Sequence, residues 1–391
     1  MTTQNNVFYI LLCLGVMFIS FGCNNSQVKD TKPHLVIDID TLSTDGTILF
    51  SQVFDDYEII PLETNEDCII GSVASIRFCN DYIVILDSRI SKSVFVFDHN
   101  GKFIRKIGSI GKGPGEYISP HSISINDNTK EILVYDGIYN KVNIYSFSGE
   151  FHKSIKLDQQ GLGRKSIEVF DDIIYTNSHL EHGVENIVYG VDYNGNIAGA
   201  RLKNNFKFKD NQSFAAYNHF YKTPDGLRFR SWLLDDVYRI SDNFIEPLIS
   251  LKSEKESIRE EVQYANHRPK HLNITNYVEI NSFSILEYSI DGYYYTVFCD
   301  LNNRNVRSVK FLDFRNDLIQ LSGKQMGYFY TSYKDYLVSM VRNEPLFLKE
   351  DFVEKVKAGS IKSKNHDLGQ VTLESNPVII MYKFKENPEI W

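Results

Sequence analysis

Apolar residues occur in short runs separated by polar turns, and one such unit, SVFVFDHNGKFIRKIG at Ser93–Gly108, recurs along the chain. It places two strand-like runs on either side of an Asn100-Gly101 pair, which readily takes the positive φ angles that a tight hairpin turn needs. The turn residues of the successive units lie 48, 46, 48 and 60 positions apart: Gly101, Gly149, Gly195, Asn243 and Asn303. A repeat of this length built only of strands predicts the blades of a β-propeller.

Segments from the two ends of the chain are predicted to form the sixth blade together. The last strong strand pattern, Pro377–Phe384, lacks a following partner, whereas Tyr57–Leu62 is strand-like and has no hairpin partner nearby. Pairing these segments in one blade would close the ring and remove exposed strand edges. We therefore expect an all-β fold, a six-bladed β-propeller whose last blade is closed by an N-terminal strand.

Two segments depart from the strand pattern and predict short helical insertions. Ser253–Asn276 begins with a capping box, and Asn343–Asn376 carries a helical apolar spacing that stops at Gly359. We expect both insertions on the face where the innermost strands begin. In the first insertion, the candidate ligand-binding residues at the rim of the central channel are His267, Arg268 and His271.

The N-terminus predicts export. Val7–Phe21 is an apolar stretch of the length of a secretory signal, and it is followed by Cys23 and a polar segment. This arrangement resembles a bacterial lipoprotein signal, in which Cys23 becomes the lipidated residue. An ordinary signal peptide and an uncleaved anchor remain open alternatives. The expected organisation is a signal at residues 1–22, a tether at 23–47 and the propeller at 48–391, in a protein anchored to a membrane of the cell envelope and facing the periplasm.

Charge and cysteine content narrow the function classes. The formal net charge of −8 argues against a nucleic-acid partner, which would need a clustered basic face. Behind the signal, Cys68, Cys79 and Cys299 are too few for a disulfide framework, and Cys79 and Cys299 lie in strand-like runs where they are expected to pack as small apolar residues. No Cys/His cluster has zinc spacing.

A glycine-rich stretch, IGSIGKGPGEY at Ile107–Tyr117, separates the first two repeats. Together with YEIIPLE near residue 57 and NPVIIMYKFK near residue 376, it resembles the six-bladed β-propeller lipoproteins of bacterial cell envelopes, which are related to NHL-repeat propellers. The resemblance covers Ile48–Lys385. It implies the propeller fold, and it implies little about activity because most members of that family lack an assigned one.

Few residues are candidates for chemistry. The glycine-rich stretch lacks the Lys-Ser/Thr pair and following helix of a phosphate-binding loop, so it is best explained as a tight crossover between blades, with Glu116 and Tyr117 as possible ligand contacts. His121 and His219 open innermost strands, near the axial channel where propellers bind ligands. The resemblance to NHL-like lyases, which hold a metal on axial histidines, makes a divalent ion at these two residues conceivable. A third histidine is missing, so we expect no metal or other cofactor.

These observations predict a binding protein without catalytic residues, whose ligand is a protein, a peptide or a glycan. The alternative is a propeller lyase or hydrolase with an axial, metal-dependent site around His121 and His219.

Overall fold

The computed structural model describes residues 32–79, 82–157, 166–178, 180–181, 184–205, 213–214, 218–232, 234–241, 244–254, 272–319, 321, 328–341 and 346–391. Six antiparallel sheets, here called blades 1 to 6 in chain order, form the fold. In each blade the strands are named inner, second, third and outer. The inner strands of successive blades contact one another in a closed ring, with blade 6 returning to blade 1. This arrangement confirms the predicted six-bladed β-propeller.

The first three blades follow the chain without interruption. Blade 1 consists of Val73–Cys79, Tyr82–Asp87, Ser93–Asp98 and Phe103–Ile107. Blade 2 consists of Pro120–Asn126, Glu131–Asp136, Lys141–Ser146 and Phe151–Lys156. Blade 3 consists of Ile167–Phe170, Ile173–Asn177, Asn186–Val191 and Ile197–Lys203.

The last three blades include strands from outside the simple repeat. Blade 4 consists of Asn218–Thr223, Gly226–Ser231, Asp236–Ser241 and Phe244–Lys252, with Leu35–Asp38 as a fifth strand. Blade 5 consists of Asn273–Ile280, Phe283–Ile290, Tyr293–Asp300 and Asn305–Lys310. Blade 6 consists of Thr331–Tyr333, Tyr336–Val341, Val378–Phe384 and Phe54–Pro61.

Shorter elements join these blades. Phe50–Val53 is one helical turn, Leu346–Lys357 is the long helix, and Phe311–Asp313 is a 3-10 turn. Three two-stranded pairs complete the described elements: Ile48–Leu49 with Phe314–Arg315, Ser109–Ile110 with Glu116–Tyr117, and Leu180–Glu181 with Ser213–Phe214.

The alternation of strand directions defines two faces. We call the face where every inner strand begins the upper face; it carries the connections from outer to inner strands and from second to third strands. The lower face carries the inner-to-second and third-to-outer turns. The long helix Leu346–Lys357 connects the second and third strands of blade 6, so it belongs to the upper face, as predicted. Gly359, with φ of +70°, ends it.

The closure of the ring by an N-terminal strand is confirmed. Phe54–Pro61 pairs antiparallel with Val378–Phe384, with Phe54 opposite Phe384 and Pro61 opposite Val378. The backbone N–H of Glu63 then donates to the carbonyl of Gly101 at 2.8 Å, which ties the closing strand to blade 1. The ring therefore has no open strand edge between its last and first blades.

The hairpin turns of blades 1, 2 and 3 are one residue longer than predicted. In blade 1, Gly101 N–H donates to the Asp98 carbonyl, and Asp98 N–H donates to the Lys102 carbonyl. Blades 2 and 3 repeat both bonds around Gly149 and Gly195, and the φ angles of the three glycines are +81°, +87° and +86°. Each hairpin loop therefore has three residues. Its glycine is the third of them and forms a bulge, whereas the prediction made Asn100 and Gly101 a two-residue turn.

Part of the predicted tether belongs to the propeller. Leu35–Asp38 runs parallel to the outer strand of blade 4, with Leu35 opposite Ile249 and Asp38 opposite Lys252. Leu35 and Ile37 are buried against blades 4 and 5. The assignment of residues 23–47 to a tether is therefore wrong for this stretch, because alternate apolar side chains cover an otherwise exposed edge.

The sequence pattern places the first strands of blades 5 and 6 at Ser282 and near Asp317, but both blades begin at other residues. The inner strand of blade 5 is Asn273–Ile280, so Ser282 lies in a turn and the predicted insertion Ser253–Asn276 is shorter at its C-terminal end. The inner strand of blade 6 is Thr331–Tyr333, not the segment that begins near Asp317. Polar residues on both inner strands conceal their strand character in the sequence.

The apolar core is divided into six clusters, each between two neighbouring blades. Between blades 5 and 6, for example, Phe50 stacks on Phe314 with ring centroids 4.3 Å apart. The three cysteines in the described residues, Cys68, Cys79 and Cys299, are free and buried. Because the apolar side chains pack between blades, the axis is left to polar side chains.

Candidate functional site

Blades 1 to 3 meet at the axis through an ion pair. Arg77, on the inner strand of blade 1, contacts Glu168, on the inner strand of blade 3, with 2.9 Å between Nη2 and Oε2. The hydroxyl of Ser124, from blade 2, donates to the other carboxylate oxygen of Glu168. The Glu168 side chain is buried, and each of its oxygens is occupied. The charged groups in this part of the axis are therefore paired with one another.

His219 reaches the same axis from blade 4, which stands opposite blade 1 in the ring. It is the second residue of its inner strand, as predicted from the sequence. Enclosure by protein and the positive charges of Arg230 and Arg77 lower the pKa of His219 to about 3. The imidazole is therefore neutral at physiological pH and offers one donor and one acceptor nitrogen.

Arg230 lies opposite His219 on the adjacent strand of blade 4. Its side chain is buried, with Nη1 donating to the Ile274 carbonyl at 3.3 Å and a hydrogen bond to Tyr328. Its Nε is buried and has no hydrogen-bond partner among the described residues. Burial lowers the pKa of Arg230 from its usual value, although a guanidinium stays charged. Burying a charged N–H donor without an acceptor costs free energy, so Nε of Arg230 marks a position where a hydrogen-bond acceptor is missing.

Glu287 is the nearby acid that could neutralise Arg230. It is buried on the second strand of blade 5, and burial raises its pKa to about 8 in spite of the Arg230 charge. At neutral pH the carboxyl is therefore largely protonated and hydrogen-bonded to Asn276. The axial space between blades 4, 5 and 6 consequently carries an excess positive charge at Arg230.

The two histidines predicted to share a site have different surroundings in the structure. His121 opens the inner strand of blade 2, but its ring lies against Gly137 in the turn between the second and third strands of that blade. Its Nδ1 is 3.4 Å from the Ser119 hydroxyl. His219 instead faces Arg230 and Arg77 at the axis. In the part of the chain that the structure describes, no three His, Cys, Asp or Glu side chains are grouped as metal ligands would be.

The acidic and aromatic residues of the glycine-rich crossover, Glu116 and Tyr117, form hydrogen bonds within the protein. The carboxylate of Glu116 folds back and accepts a hydrogen bond from Gly113 N–H at 2.6 Å. Tyr117 is buried, and its hydroxyl donates to the Ile107 carbonyl at 2.7 Å. Tyr117 therefore packs between blades 1 and 2, which corrects the prediction that its side chain contacts a ligand.

Four predicted functional residues, Cys23, His267, Arg268 and His271, lie outside the described residues. Sequence reasoning missed others that the structure brings to the axis: Arg77, Glu168, Arg230, Glu287 and Tyr328. The available signal was a charged residue inside an otherwise apolar strand, as in the stretches SIRF, IEVF and LRFRS. Such residues need buried partners, and only the tertiary structure supplies them.

Exposed apolar side chains are concentrated on the upper face. Of the thirteen large hydrophobic residues that are exposed in the described part of the chain, ten lie in or beside upper-face connections: Ile69, Ile90, Ile110, Ile138, Tyr139, Tyr293, Tyr294, Leu312, Tyr328 and Leu373. Trp391 is on the lower face. The other two, Val36 and Leu49, belong to peripheral strands. Because Tyr328 also bonds Arg230, it joins this apolar face to the axial charge.

The fold and this axial arrangement define a six-bladed β-propeller with buried charged side chains at its axis. Residues 34–383 match the model of the family described as "Domain of unknown function (DUF4934)", and the chain belongs to that family. No curated protein matches the sequence. No helix in the described residues is long and apolar enough to cross a membrane.

Two solved structures from Bacteroides are similar to this chain. One, described as an exported protein of Bacteroides fragilis, is 19% identical and superposes with a TM-score of 0.68 over 90% of this chain and 99% of its own. The other, a member of the DUF4221 family from Bacteroides vulgatus, is 11% identical with a TM-score of 0.53 over 85% and 97%. At these identities the likeness establishes the shared fold.

Proposed function

We propose that this chain is a binding propeller of the bacterial cell envelope that holds an acidic segment of a protein or peptide on its upper face. A lipid on Cys23 attaches it to a membrane, facing the periplasm. The observation that carries the proposal is the buried Arg230, whose Nε has no hydrogen-bond partner among the described residues and lies beside the neutral His219. A ligand carboxylate would accept hydrogen bonds from this guanidinium and complete the site.

The apolar residues of the upper face support a macromolecular ligand. Exposed apolar patches on soluble domains mark interaction surfaces, and here Tyr328, an exposed aromatic residue of the upper face, bonds Arg230. The long helix Leu346–Lys357 adds a further element to the same face. An extended or looped segment with aliphatic side chains and one acidic residue fits both features.

Binding is favoured over catalysis by the surroundings of the candidate acid-base groups. Arg77 and Glu168 are paired with each other, and the His121 ring packs within its own blade. An axial lyase or hydrolase would need His121 and His219 on one substrate. The observed positions favour a ligand that is held by Arg230 and His219 without reaction.

A peptide-display experiment tests the binding proposal. A random heptapeptide library is selected against the wild-type chain, against Arg230→Met and against the control Arg239→Met, a half-exposed arginine of the same blade that pairs with Glu246. We expect the wild type and Arg239→Met to enrich peptides that combine Asp or Glu with aliphatic residues, and Arg230→Met to lose this enrichment. Because replacing buried ionic side chains by apolar ones of similar volume is often neutral or stabilising, Arg230→Met should fold. Enrichment of the same acidic peptides by Arg230→Met would refute the site.

Membrane attachment is tested separately. The signal-like segment Val7–Phe21 and Cys23 support lipid anchoring, and the exported Bacteroides fragilis relative supports an envelope location. Cys23→Ser should release the protein from the membrane fraction, because the acyl chains contribute ~0.8 kcal/mol per buried CH₂. Retention of Cys23→Ser in membranes would instead indicate an uncleaved anchor.

A further inference from the structure

A cavity lies on the lower face, between blades 5 and 6. Its volume is about 400 Å³, within the range of roughly 300–1,000 Å³ that is typical of small-molecule sites. Its walls are the two lower-face turns of blade 5, the end of the third strand of blade 6 at Phe384, and the segment Glu386–Trp391. This site is on the opposite face from Arg230, so it is independent of the function proposed above.

Amide side chains dominate the polar lining of this cavity. They belong to Asn281, Asn302, Asn303, Asn305 and Asn387. Each amide has both an acceptor oxygen and a donor NH₂ group, so it can bond a hydroxyl in either role. The Asn303 amide already donates to Asp300 at 2.6 Å, whereas the other four side-chain amides have no such bond among the described residues. The lining therefore offers several neutral donors and acceptors.

Trp391 supplies a flat apolar surface next to these amides. Its side chain is 49% exposed, and it is the one exposed large hydrophobic of the lower face in the described residues. The ring meets Phe283 edge to face, with centroids 6.1 Å apart. The preceding residues fix its position, because Ile390 is buried and Glu389 N–H donates to the Gln52 carbonyl at 2.8 Å. The indole is thus held in place before a ligand arrives.

The charges of the lining select among ligand classes. Among the described residues, Asp300 and Glu386 are the charged residues that line the cavity, and no lysine or arginine lines it, which disfavours anions. The carboxylate of Asp300 accepts hydrogen bonds from the N–H groups of Asn302 and Asn303, so it holds the turn. An apolar ring face surrounded by neutral amides instead suits a molecule with hydroxyls at its edge and C–H groups on its flat side.

We propose that this cavity is a saccharide-binding site, in which the Trp391 indole stacks on a neutral pyranose ring and the surrounding asparagine amides bond its hydroxyls. The ring face of a sugar is apolar enough to pack on an aromatic plane, and its hydroxyls need paired donors and acceptors when they leave water. The site takes a neutral sugar, free or within a glycan chain.

Tryptophan fluorescence tests this site directly, because the chain has two tryptophans. In a Trp232→Phe background, Trp391 is the sole reporter. The probes are maltotriose, cellotriose, xylotriose and chitotriose, with trigalacturonate as the anionic control and choline as the cationic control. We expect a saturable change with at least one neutral trisaccharide and none with trigalacturonate or choline. A response to choline alone, or to no neutral trisaccharide, overturns the proposal.

Calorimetry with the trisaccharide that changes the fluorescence tests which residues bind it. Trp391→Ala and Asn305→Ala should each weaken binding at least tenfold, whereas Trp391→Phe, which keeps a ring, should weaken it less. Tyr293→Ala is the matched control, since it removes an exposed aromatic residue of blade 5 from the upper face. Equal affinities of Trp391→Ala and Tyr293→Ala would place the sugar elsewhere and refute the site.

Discussion

Arg228 of blade 4 and Glu279 of blade 5 form a buried two-bond ion pair. Nε lies 2.8 Å from Oε2, and Nη2 lies 2.8 Å from Oε1. The Tyr277 hydroxyl also donates to the carboxylate, at 2.5 Å. The pair therefore links two blades through both Nε and Nη2 of Arg228. In contrast, Nε of Arg230, two residues further along the same strand, has no partner among the described residues.

Breaking this pair should destabilise the whole ring. Arg228→Ala leaves Glu279 buried without its partner, which costs about 3–5 kcal/mol of unfolding free energy. Chemical denaturation measures the loss. The control is Arg315→Ala, whose pair with Asp313 is largely exposed and should contribute at most about 1 kcal/mol. If the two variants lose the same stability, the blade 4–5 pair has no special structural role.

The contact between Gly101 and the closing strand predicts a sharp difference between two glycines. Both Gly101 and Gly292 have φ of +81°, so alanine at either position costs about 1–2 kcal/mol of backbone strain. A Cβ at Gly101 would also lie 2.2 Å from the Pro61 carbonyl oxygen, whereas a Cβ at Gly292 meets open space. Gly101→Ala should therefore lose a further ~1–3 kcal/mol.

Thermal and urea unfolding of the two alanine variants measure this difference. Because the two glycines have the same φ, the additional loss of unfolding free energy in Gly101→Ala reports the packing of blade 1 against the N-terminal strand. Equal losses would mean that the closing strand can move away from Gly101 at little cost.

The pH dependence of stability should reveal Glu287. Its pKa is raised from 4.5 to about 8 in the folded chain, so the folded state binds more protons between these values and loses stability as the pH rises through them. Glu287→Gln removes the titrating group. Because each unit of pKa shift corresponds to about 1.4 kcal/mol, this variant should gain a few kcal/mol over the wild type between about pH 5 and pH 8.

His219 should give the opposite slope. Its pKa falls from 6.5 to about 3, so the unfolded chain binds more protons in that window and stability decreases as the pH falls. His219→Asn should therefore flatten the acid side of the stability curve and leave the alkaline side unchanged. Urea unfolding at a series of pH values measures both variants. A stability difference from the wild type that is constant with pH would contradict the shift assigned to the residue concerned.

The fifth strand of blade 4 predicts a local stability pattern. Ile37 is buried against blade 5, so Ile37→Ala should cost about 2 kcal/mol or more. Val36, one residue earlier on the same strand, is 44% exposed, and Val36→Ala should change stability by less than about 0.5 kcal/mol. If the two alanine variants behave alike in denaturation, Leu35–Asp38 acts as a tether after all.

The sequence by itself determined the architecture, because the fold depends on a periodic pattern. Short apolar runs, turn glycines and an unpartnered strand at each end predict six blades and their closure, and Phe54–Pro61 pairs with Val378–Phe384 accordingly. Successive side chains of a strand point to opposite faces of the blade and pack on its two neighbours. The strand repeat is therefore visible in the sequence wherever the strands are apolar. It failed at Asn273–Ile280 and Leu35–Asp38, where polar residues and a short length conceal a strand.

Only the tertiary structure decided the two candidate sites. Glycine-rich crossovers and strand-opening histidines directed attention to Tyr117 and His121, yet the first is buried and the second packs within its own blade. The axial charge at Arg230 and the cavity beside Trp391 join side chains of neighbouring blades that are separated along the chain by whole strands and turns. Their chemistry depends on burial and on which polar atoms lack partners, and the closure of the ring sets both properties.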